Sequence, residues 1–452
     1  MGKLFGTDGV RGIANEVLTP ELAMKLGKAG AYVLAKESGK RPVFLIGMDT
    51  RLSGDMLENA LTAGILAMGG DVIKVGVIPT PAVAYLVRYY EADAGIVISA
   101  SHNTFEYNGI KFFNSRGYKL SDEIEDEIEA FIAESDGTRM QENLKGGDIG
   151  RCLYVEDSAV DIYADFLRKS ISADISDMKI VLDLANGAAT SVAEQVFKGL
   201  GADIVVIGDE PDGLNINDDC GSTHTENLQA AVISQKADLG LAFDGDADRL
   251  IAVDENGDVV DGDRTICICA GMLKARGELV GNRITATVMS NLGLHKEAEK
   301  MGCSVDITDV GDRYVLERMV ETGCVLGGEQ SGHIIFLNHT TTGDGMLSGL
   351  QLLQAVKESG KTLSRLAQEI EIYPQVLINA KIKNENKRLY KDDAEIVSAI
   401  SAVEAKMAGE GRVLIRPSGT EPLVRVMIEG KDSDEIYALA QNIADLISRK
   451  FA

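Results

Sequence analysis

The sequence predicts an α/β protein: three similar units built on mixed or parallel sheets, followed by a smaller C-terminal α+β domain. Continuous apolar runs of strand length recur with helical stretches between them up to residue 369, the pattern of strands buried on both faces. From residue 370 the strands alternate and two amphipathic helices accompany them, which suits a single sheet with one face to cover. A length of 452 residues exceeds what one hydrophobic core serves. The expected divisions are 1–152, 153–256, 257–369 and 370–452.

In the first unit, VFLIGMD (43–49) and GIVISA (95–100) are apolar strands ending in polar residues. A helix near 57–67 and the short strand DVIKVG (71–76) lie between them. SDEIEDEIEAFI sets Ile124, Ile128, Phe131 and Ile132 on one face of a capped helix. ENLKGGDIGR (142–151) is a turn-rich connection, and VEDSAVDIYADFLRKSI (155–171) is a long helix opening the second unit. That unit has strands at 179–184, 203–207 and 239–243. The third follows the turn DENGD, with strands at 283–288 and 304–307. The last domain has strands QVLINAKI, RVLIRPS and PLVRVMIEG, the last alternating at Leu423, Arg425, Met427 and Glu429. One of its helices bears Ile396, Ile400, Val403 and Met407, the other Ile436, Leu439, Ile443 and Leu446.

A formal net charge of −25 argues against nucleic-acid or anionic-membrane partners, and no basic run interleaved with aromatics is present. No apolar stretch reaches membrane-spanning length, and the N-terminus lacks the apolar core of a secretory signal. The six cysteines are dispersed in apolar runs and read as small buried hydrophobes, not as a disulfide framework or zinc site. A reducing, cytoplasmic setting fits them. The acidity does not preclude a phosphorylated ligand, because a few arginines and backbone N–H groups can hold a phosphate locally.

Four segments carry chemistry. In LAFDGDADRL a strand enters a loop with carboxylates at Asp244, Asp246 and Asp248. Three hard oxygen donors in one turn suit Mg²⁺, and such close like charges repel unless a cation pairs them. A calcium-binding EF-hand needs glycine where this loop has Arg249. The plain alternative is a solvated acidic turn. In ISASHNTFEYNGIKFF, Ser101 and His102 follow a buried strand, at the mouth where α/β folds place ligands. The competing role for Ser101 is a helix cap. The segment is not the G-x-S-x-G elbow of a hydrolase. In VLGGEQSGHIIF, Glu329, Ser331 and His333 alternate in a glycine-rich turn and can present a row of hydroxyl-binding groups. In RVLIRPSGTEPLVRV, Arg416 and Arg425 bracket Ser418, Gly419 and Thr420, an oxyanion cradle or an ordinary turn with surface arginines. GTDGVRG and MDTRLSGD add Arg11 and Arg51 as further candidate phosphate contacts.

These four segments in this order resemble the α-D-phosphohexomutase superfamily over essentially the whole chain, and PDGLNIN, CGSTH, VMSNLG and TDVGDRYV strengthen the likeness. The resemblance implies three related α/β domains and a mobile fourth around a central cleft. It implies that Ser101 is a phosphoserine. It also implies that Asp244, Asp246 and Asp248 hold one Mg²⁺ per site together with a phosphoryl oxygen on Ser101. Lys111 and Arg249, with His102 and Arg11, would serve proton and charge changes. Glu329, Ser331 and His333 would recognise the sugar, and Arg416, Ser418, Gly419, Thr420 and Arg425 would grip the phosphate that is not reacting. The family often has proline after the serine-histidine-asparagine triplet, where this chain has Thr104; the change restores one backbone N–H and leaves the triplet intact.

The reaction so implied interconverts glucosamine 6-phosphate and glucosamine 1-phosphate, primed by a sugar 1,6-bisphosphate. The same machinery would serve mannose or glucose phosphates, and a phosphoserine-dependent sugar phosphatase or a non-catalytic sensor are the other classes. Partners are small sugar phosphates, with a homodimer the association known among relatives.

Overall fold

The computed structural model describes residues 4–6, 8–38, 40–134, 144–387, 389–418 and 421–452. By compactness the chain forms two units: residues 1–287 with 306–368, and residues 288–305 with 369–452.

The first sheet of the larger unit runs, in spatial order, Val10–Ile13, Tyr107–Asn114, Ala94–Ile98, Val43–Met48, Asp71–Val77 and Cys152–Tyr154. Its last four strands are mutually parallel. Tyr107–Asn114 returns antiparallel between Ala94–Ile98 and Val10–Ile13. Phe44, Ile46, Ile96 and Phe112 face one core with Leu26, Leu57, Leu61 and Phe131 from the helices Pro20–Ser38, Gly54–Ala67 and Asp122–Glu134. Ile128 and Ile132 join that core, and Ile124 packs at its margin, as the helical spacing predicts. Of the turn-rich connection, residues 142 and 143 lie outside the described residues; the remainder holds a short 3₁₀ turn, Gly146–Asp148.

The second sheet has the order Val259–Val260, Leu250–Asp254, Leu239–Phe243, Lys179–Asp183 and Asp203–Ile207. The third has Ser304–Thr308, Arg283–Thr287, Leu326–Gly328 and Ile334–Phe336. In all three sheets a strand that is parallel to one neighbour is followed by a loop and an antiparallel return: Ala94–Ile98 to Tyr107–Asn114, Leu239–Phe243 to Leu250–Asp254, and Leu326–Gly328 to Ile334–Phe336. The three connecting loops hold Ser101, the aspartate triplet, and Glu329 to His333. Three chemistry-bearing loops thus occupy one equivalent position in three related domains. The antiparallel returns are buried on both faces, for example Leu250–Asp254, so their sequences lack the alternation that marks a half-exposed hairpin.

The smaller unit is an antiparallel sheet in the order Gln375–Lys381, Leu423–Glu429, Arg412–Pro417. Val424, Val426 and Ile428 turn one way into a core with Ile396, Ile436, Ile443 and Leu446. Its helices Ala394–Met407 and Ser433–Phe451 begin at Asp393 and Asp432, whose carboxylates accept from the first free N–H groups. Residues 288–305 belong here because the buried Glu429 accepts from Leu292 N (3.2 Å) and Asn291 Nδ2 donates to Tyr373 O (2.9 Å). All six cysteines are free, and no helix among the described residues is long and apolar enough to cross a membrane.

His295, in the helix Leu292–Lys300, has no hydrogen-bond partner for Nε2 among the described residues. Burial, aided by Arg412, lowers its pKa from 6.5 to about 4. The unfolded chain therefore takes up a proton between pH 6.5 and 4 that the folded unit refuses, and stability falls with pH across that window. After solvent screening the loss is about 1–2 kcal/mol. His295→Gln should remove it. Melting of both proteins between neutral and acid pH should show wild type losing more; parallel curves would refute the assignment.

Candidate active site

Ser101 stands just past the strand Ala94–Ile98 with φ 52°. The next element is a strand, so Ser101 caps no helix, and that alternative is removed. Its hydroxyl donates to Asp244 Oδ2 at 2.6 Å, and its N–H donates to Ser99 Oγ at 2.9 Å. His102 Nδ1 lies 3.5 Å from Ser101 Oγ. Burial, then the nearby Arg249 and Arg11, lowers the His102 pKa and so favours neutral imidazole.

Arg51 is not a phosphate contact. Its side chain is fully buried beside Asp49, with Nε donating to Asp49 Oδ2 at 2.8 Å. Nη2 donates to the carbonyls of Ser101 and Asn103, each at 2.8 Å, and Nη1 to those of Thr104 and Tyr107. All five guanidinium donors are thus committed, and none is left for an anion. Asn217 Nδ2 donates to the same Ser101 and Asn103 carbonyls, each at 2.9 Å. The serine loop is held open in a left-handed turn by side chains remote in sequence.

The aspartate loop packs directly on it. A Cβ at Gly245 would come within 2.6 Å of Ser101 O, so only glycine allows this approach. One carboxylate oxygen from each of Asp244, Asp246 and Asp248 lies within 4.8 Å of the others, and all three residues are buried. Asp246 Oδ2 accepts from Lys111 Nζ (2.9 Å) and Thr80 Oγ1 (2.7 Å). Asp246 Oδ1 and Asp248 Oδ1 have no hydrogen-bond partner among the described residues. Burial, with Asp248 and Asp246 close by, pushes Asp244 well above the usual carboxylate range. Buried, mutually repelling carboxylates with unused oxygens are a donor set for a divalent, oxygen-preferring cation. The residues fit that ion.

Lys111 Nζ also lies 3.3 Å from Asp8 Oδ2. Burial opposes its charge, yet Asp246 and Asp8 outweigh it and keep the ammonium protonated. Arg11 sits opposite Gly109 on the neighbouring strand and pairs with Asp8. Arg249 N donates to Asp244 Oδ1 at 3.1 Å, and its Nε is 3.8 Å from Asp248 Oδ1.

The residues 329–333 do not form a uniform row. Ser331 is exposed and Glu329 half-buried, its Oε1 accepting from Gly311 N at 3.1 Å. His333 is buried, with Nδ1 3.5 Å from Asp248 Oδ2. Two influences on it conflict. Burial disfavours the imidazolium, but Asp248 and Asp312 would carry its pKa up to about 9. Gly343 N–H nevertheless points at Nε2 from 3.0 Å and needs a lone pair there. That bond decides for neutral imidazole with its proton on Nδ1, toward Asp248, and a cation shared by Asp248 would reinforce the choice. A Cβ at Gly343 would meet the imidazole at 2.6 Å.

In the smaller unit Arg416 and Arg425 are direct cross-strand partners, so their side chains share a face of the sheet. Ser418 Oγ accepts from Glu421 N (3.2 Å), while Gly419 and Thr420 lie outside the described residues. Glu421 is 3.5 Å from Arg425. Two guanidinium groups on one face of the sheet, with Glu421 beside one of them, form a pair that a phosphate can bridge. Arg425→Ala is therefore expected to raise the KM for a phosphorylated sugar by about tenfold or more, with thermal stability unchanged. Steady-state kinetics with unaltered KM and turnover would make Arg425 an ordinary surface residue.

Sequence models of four phosphoglucomutase/phosphomannomutase domains match in order: α/β/α domain I over 2–139, II over 161–257, III over 261–373, and the C-terminal domain over 377–446. The chain belongs to the phosphoglucomutase/phosphomannomutase family. Family domain I contains Ser101 and Lys111, domain II the aspartate loop, domain III residues 329–333, and the C-terminal domain the arginine pair. Curated relatives include the phosphoglucosamine mutases of Alkaliphilus oremlandii and Acetivibrio thermocellus, each 57% identical over 450 residues and covering 100% of both chains. Among solved structures, a family protein from Burkholderia thailandensis superposes with TM-score 0.79 at 24% identity, covering 98% of each chain. Aspergillus fumigatus N-acetylphosphoglucosamine mutase, in complex with GlcNAc-6P and magnesium, gives 0.71 at 17% identity, over 99% of this chain and 96% of its own. These distant likenesses show the family's fold: three similar α/β/α domains and a smaller α+β domain.

Proposed function

We propose that this chain is a phosphoglucosamine mutase that interconverts glucosamine 6-phosphate and glucosamine 1-phosphate through a phosphoserine at Ser101. The observation that carries the mechanism is the Ser101 hydroxyl 2.6 Å from Asp244, inside a set of three buried carboxylates. The substrate rests on full-length relatives of that activity at 57% identity. The domains carrying these roles are 1–152, 153–256, 257–369 and 370–452.

Phosphorylated Ser101 gives its phosphoryl group to the 1-hydroxyl of glucosamine 6-phosphate. The bond from phosphorus to Oγ breaks, and one from phosphorus to the sugar oxygen forms. The hydroxyl proton passes to neutral His102 and from it to the departing Oγ, which then donates to Asp244 as observed. The 1,6-bisphosphate turns end for end, the former 6-phosphate meets Ser101, and the reverse steps restore phosphoserine and release the 1-phosphate. When bound, Mg²⁺ held by Asp244, Asp246 and Asp248, one ion per site, supplies positive charge against the transferring phosphoryl oxygens. Lys111, Arg249 and Arg11 add fixed positive charge around Ser101. Glu329 and Ser331 address sugar hydroxyls, and His333 steadies their loop against Asp248. Arg416, Ser418, Gly419, Thr420 and Arg425 hold the phosphate that is not reacting.

The test compares turnover of glucosamine, glucose and mannose 6-phosphates, with 1,6-bisphosphate primer and assay of inorganic phosphate. Glucosamine 6-phosphate should give the highest kcat/KM without phosphate release. A preference for mannose or glucose would reassign the substrate, and stoichiometric phosphate would make the chain a phosphatase.

A further inference from the structure

We propose that Lys119 is a positioning residue for phosphotransfer: it ties the start of the helix Asp312–Thr322 to Asp8 and so fixes Lys111 and His333 beside the aspartate loop. The assignment rests on the Ser101 mechanism above. Seven ionisable side chains form a closed path: Asp246, Lys111, Asp8, Lys119, Asp312, His333 and Asp248. Lys111 Nζ reaches Asp246 at 2.9 Å and Asp8 at 3.3 Å. Lys119 Nζ pairs with the other oxygen of Asp8 and with Asp312 Oδ2 at 2.7 Å. Asp312 Oδ2 lies 3.7 Å from His333 Nε2, and His333 Nδ1 lies 3.5 Å from Asp248. The path leaves the aspartate loop at Asp246, crosses the first and third domains, and returns two residues later. Lys119 is its junction between those domains.

The backbone around Lys119 is docked at the same place. Lys119 pairs with Phe113 across the hairpin whose strand carries Lys111. At the hairpin turn, Gly117 O accepts from Thr341 Oγ1 at 2.6 Å. Arg313, next to Asp312, donates to Asp122 Oδ1 at 2.5 Å. Beside these contacts lies a cavity of about 430 Å³, bordered by Lys119, Asp312, His333 and Leu316. The helix start therefore faces open space on that side, and the Lys119–Asp312 pair is one of the contacts that hold it. Without Lys119, Asp8 and Asp312 would confront each other where solvent screening is weak. Asp8 would then compete more strongly with Asp246 for Lys111, while the Asp312 carboxylate, no longer neutralised, would push against the Nε2 lone pair of His333. Neither change removes a group that touches substrate; both displace groups that pack on the aspartate loop beside Ser101.

The experiment uses the full chain as wild type, Lys119→Met, Lys119→Arg and the double variant Lys119→Met/Asp312→Asn. It measures kcat, KM, melting and amide exchange in the first turn of the helix. Lys119→Met should lose about tenfold or more in kcat, because small displacements at a phosphotransfer site are costly. Lys119→Arg, still cationic, should keep about half or more of wild-type kcat. The double variant should recover most of the loss, since it removes the second carboxylate of the confrontation. Exchange at the helix start should quicken in Lys119→Met and return in the double variant. A Lys119→Met kcat within about twofold of wild type, or a double variant no better than the single, would overturn the proposal. So would kcat losses that merely track melting in every variant. Wild type without mutase activity would refute the proposed function instead; unchanged amide exchange would still refute the interlock by itself.

Discussion

Ser101→Ala is expected to leave the fold in place and to lower mutase turnover by at least about three orders of magnitude. The hydroxyl that would carry the phosphoryl group is bonded to Asp244 at 2.6 Å and lies in a turn fixed independently of it. Arg51 and Asn217 grip the loop through carbonyl oxygens, which alanine retains. The structural cost is therefore confined to one lost hydrogen bond to a buried carboxylate, about 1 kcal/mol. Protein incubated with bisphosphate carrying labelled phosphorus should yield label on the peptide containing Ser101, and the alanine variant should yield none. Melting measured alongside separates lost chemistry from lost fold. Label on another residue, or an active alanine variant, would overturn the mechanism.

The contrast between Ser101 and Arg51 shows what local sequence can disclose. The aspartate triplet is legible because Asp244, Asp246 and Asp248 fall within one turn after an apolar strand, so spacing alone brings their oxygens together. Ser101 is legible by its place at a strand mouth, although a helix cap would look the same until the following strand is seen. Arg51 reads as a candidate phosphate contact because four of its five donors have no partner in MDTRLSGD; Asp49 takes the fifth, and the other four go to carbonyls at 101, 103, 104 and 107. Asp8, Lys119 and Asp312 were missed for the same reason. Each meets a counter-charge from a distant segment, a pairing that only the fold makes. The α/β architecture was legible from continuous apolar runs. The antiparallel returns were not, since burial on both faces removes the periodicity that would mark them.

Asp246→Asn is the second large effect expected: turnover falls by about a hundredfold or more while KM for the sugar phosphate changes by less than about threefold. Asp246 joins two functions. Its Oδ2 holds Lys111 at 2.9 Å and Thr80 at 2.7 Å, and its Oδ1 has no hydrogen-bond partner among the described residues. Asparagine keeps the shape but removes a negative charge, so it weakens cation binding and loosens Lys111 together. The two losses can be separated. A cation that binds only the folded protein raises melting temperature by mass action, so Mg²⁺ should stabilise wild type and stabilise the variant much less at equal concentration. Excess Mg²⁺ should recover part of the variant's turnover if weakened cation binding dominates, and none if displaced Lys111 dominates. Wild type should lose activity in excess chelator and regain it when Mg²⁺ is restored. Full turnover by Asp246→Asn, or by wild type held in chelator, would show that the three carboxylates serve something other than a catalytic cation.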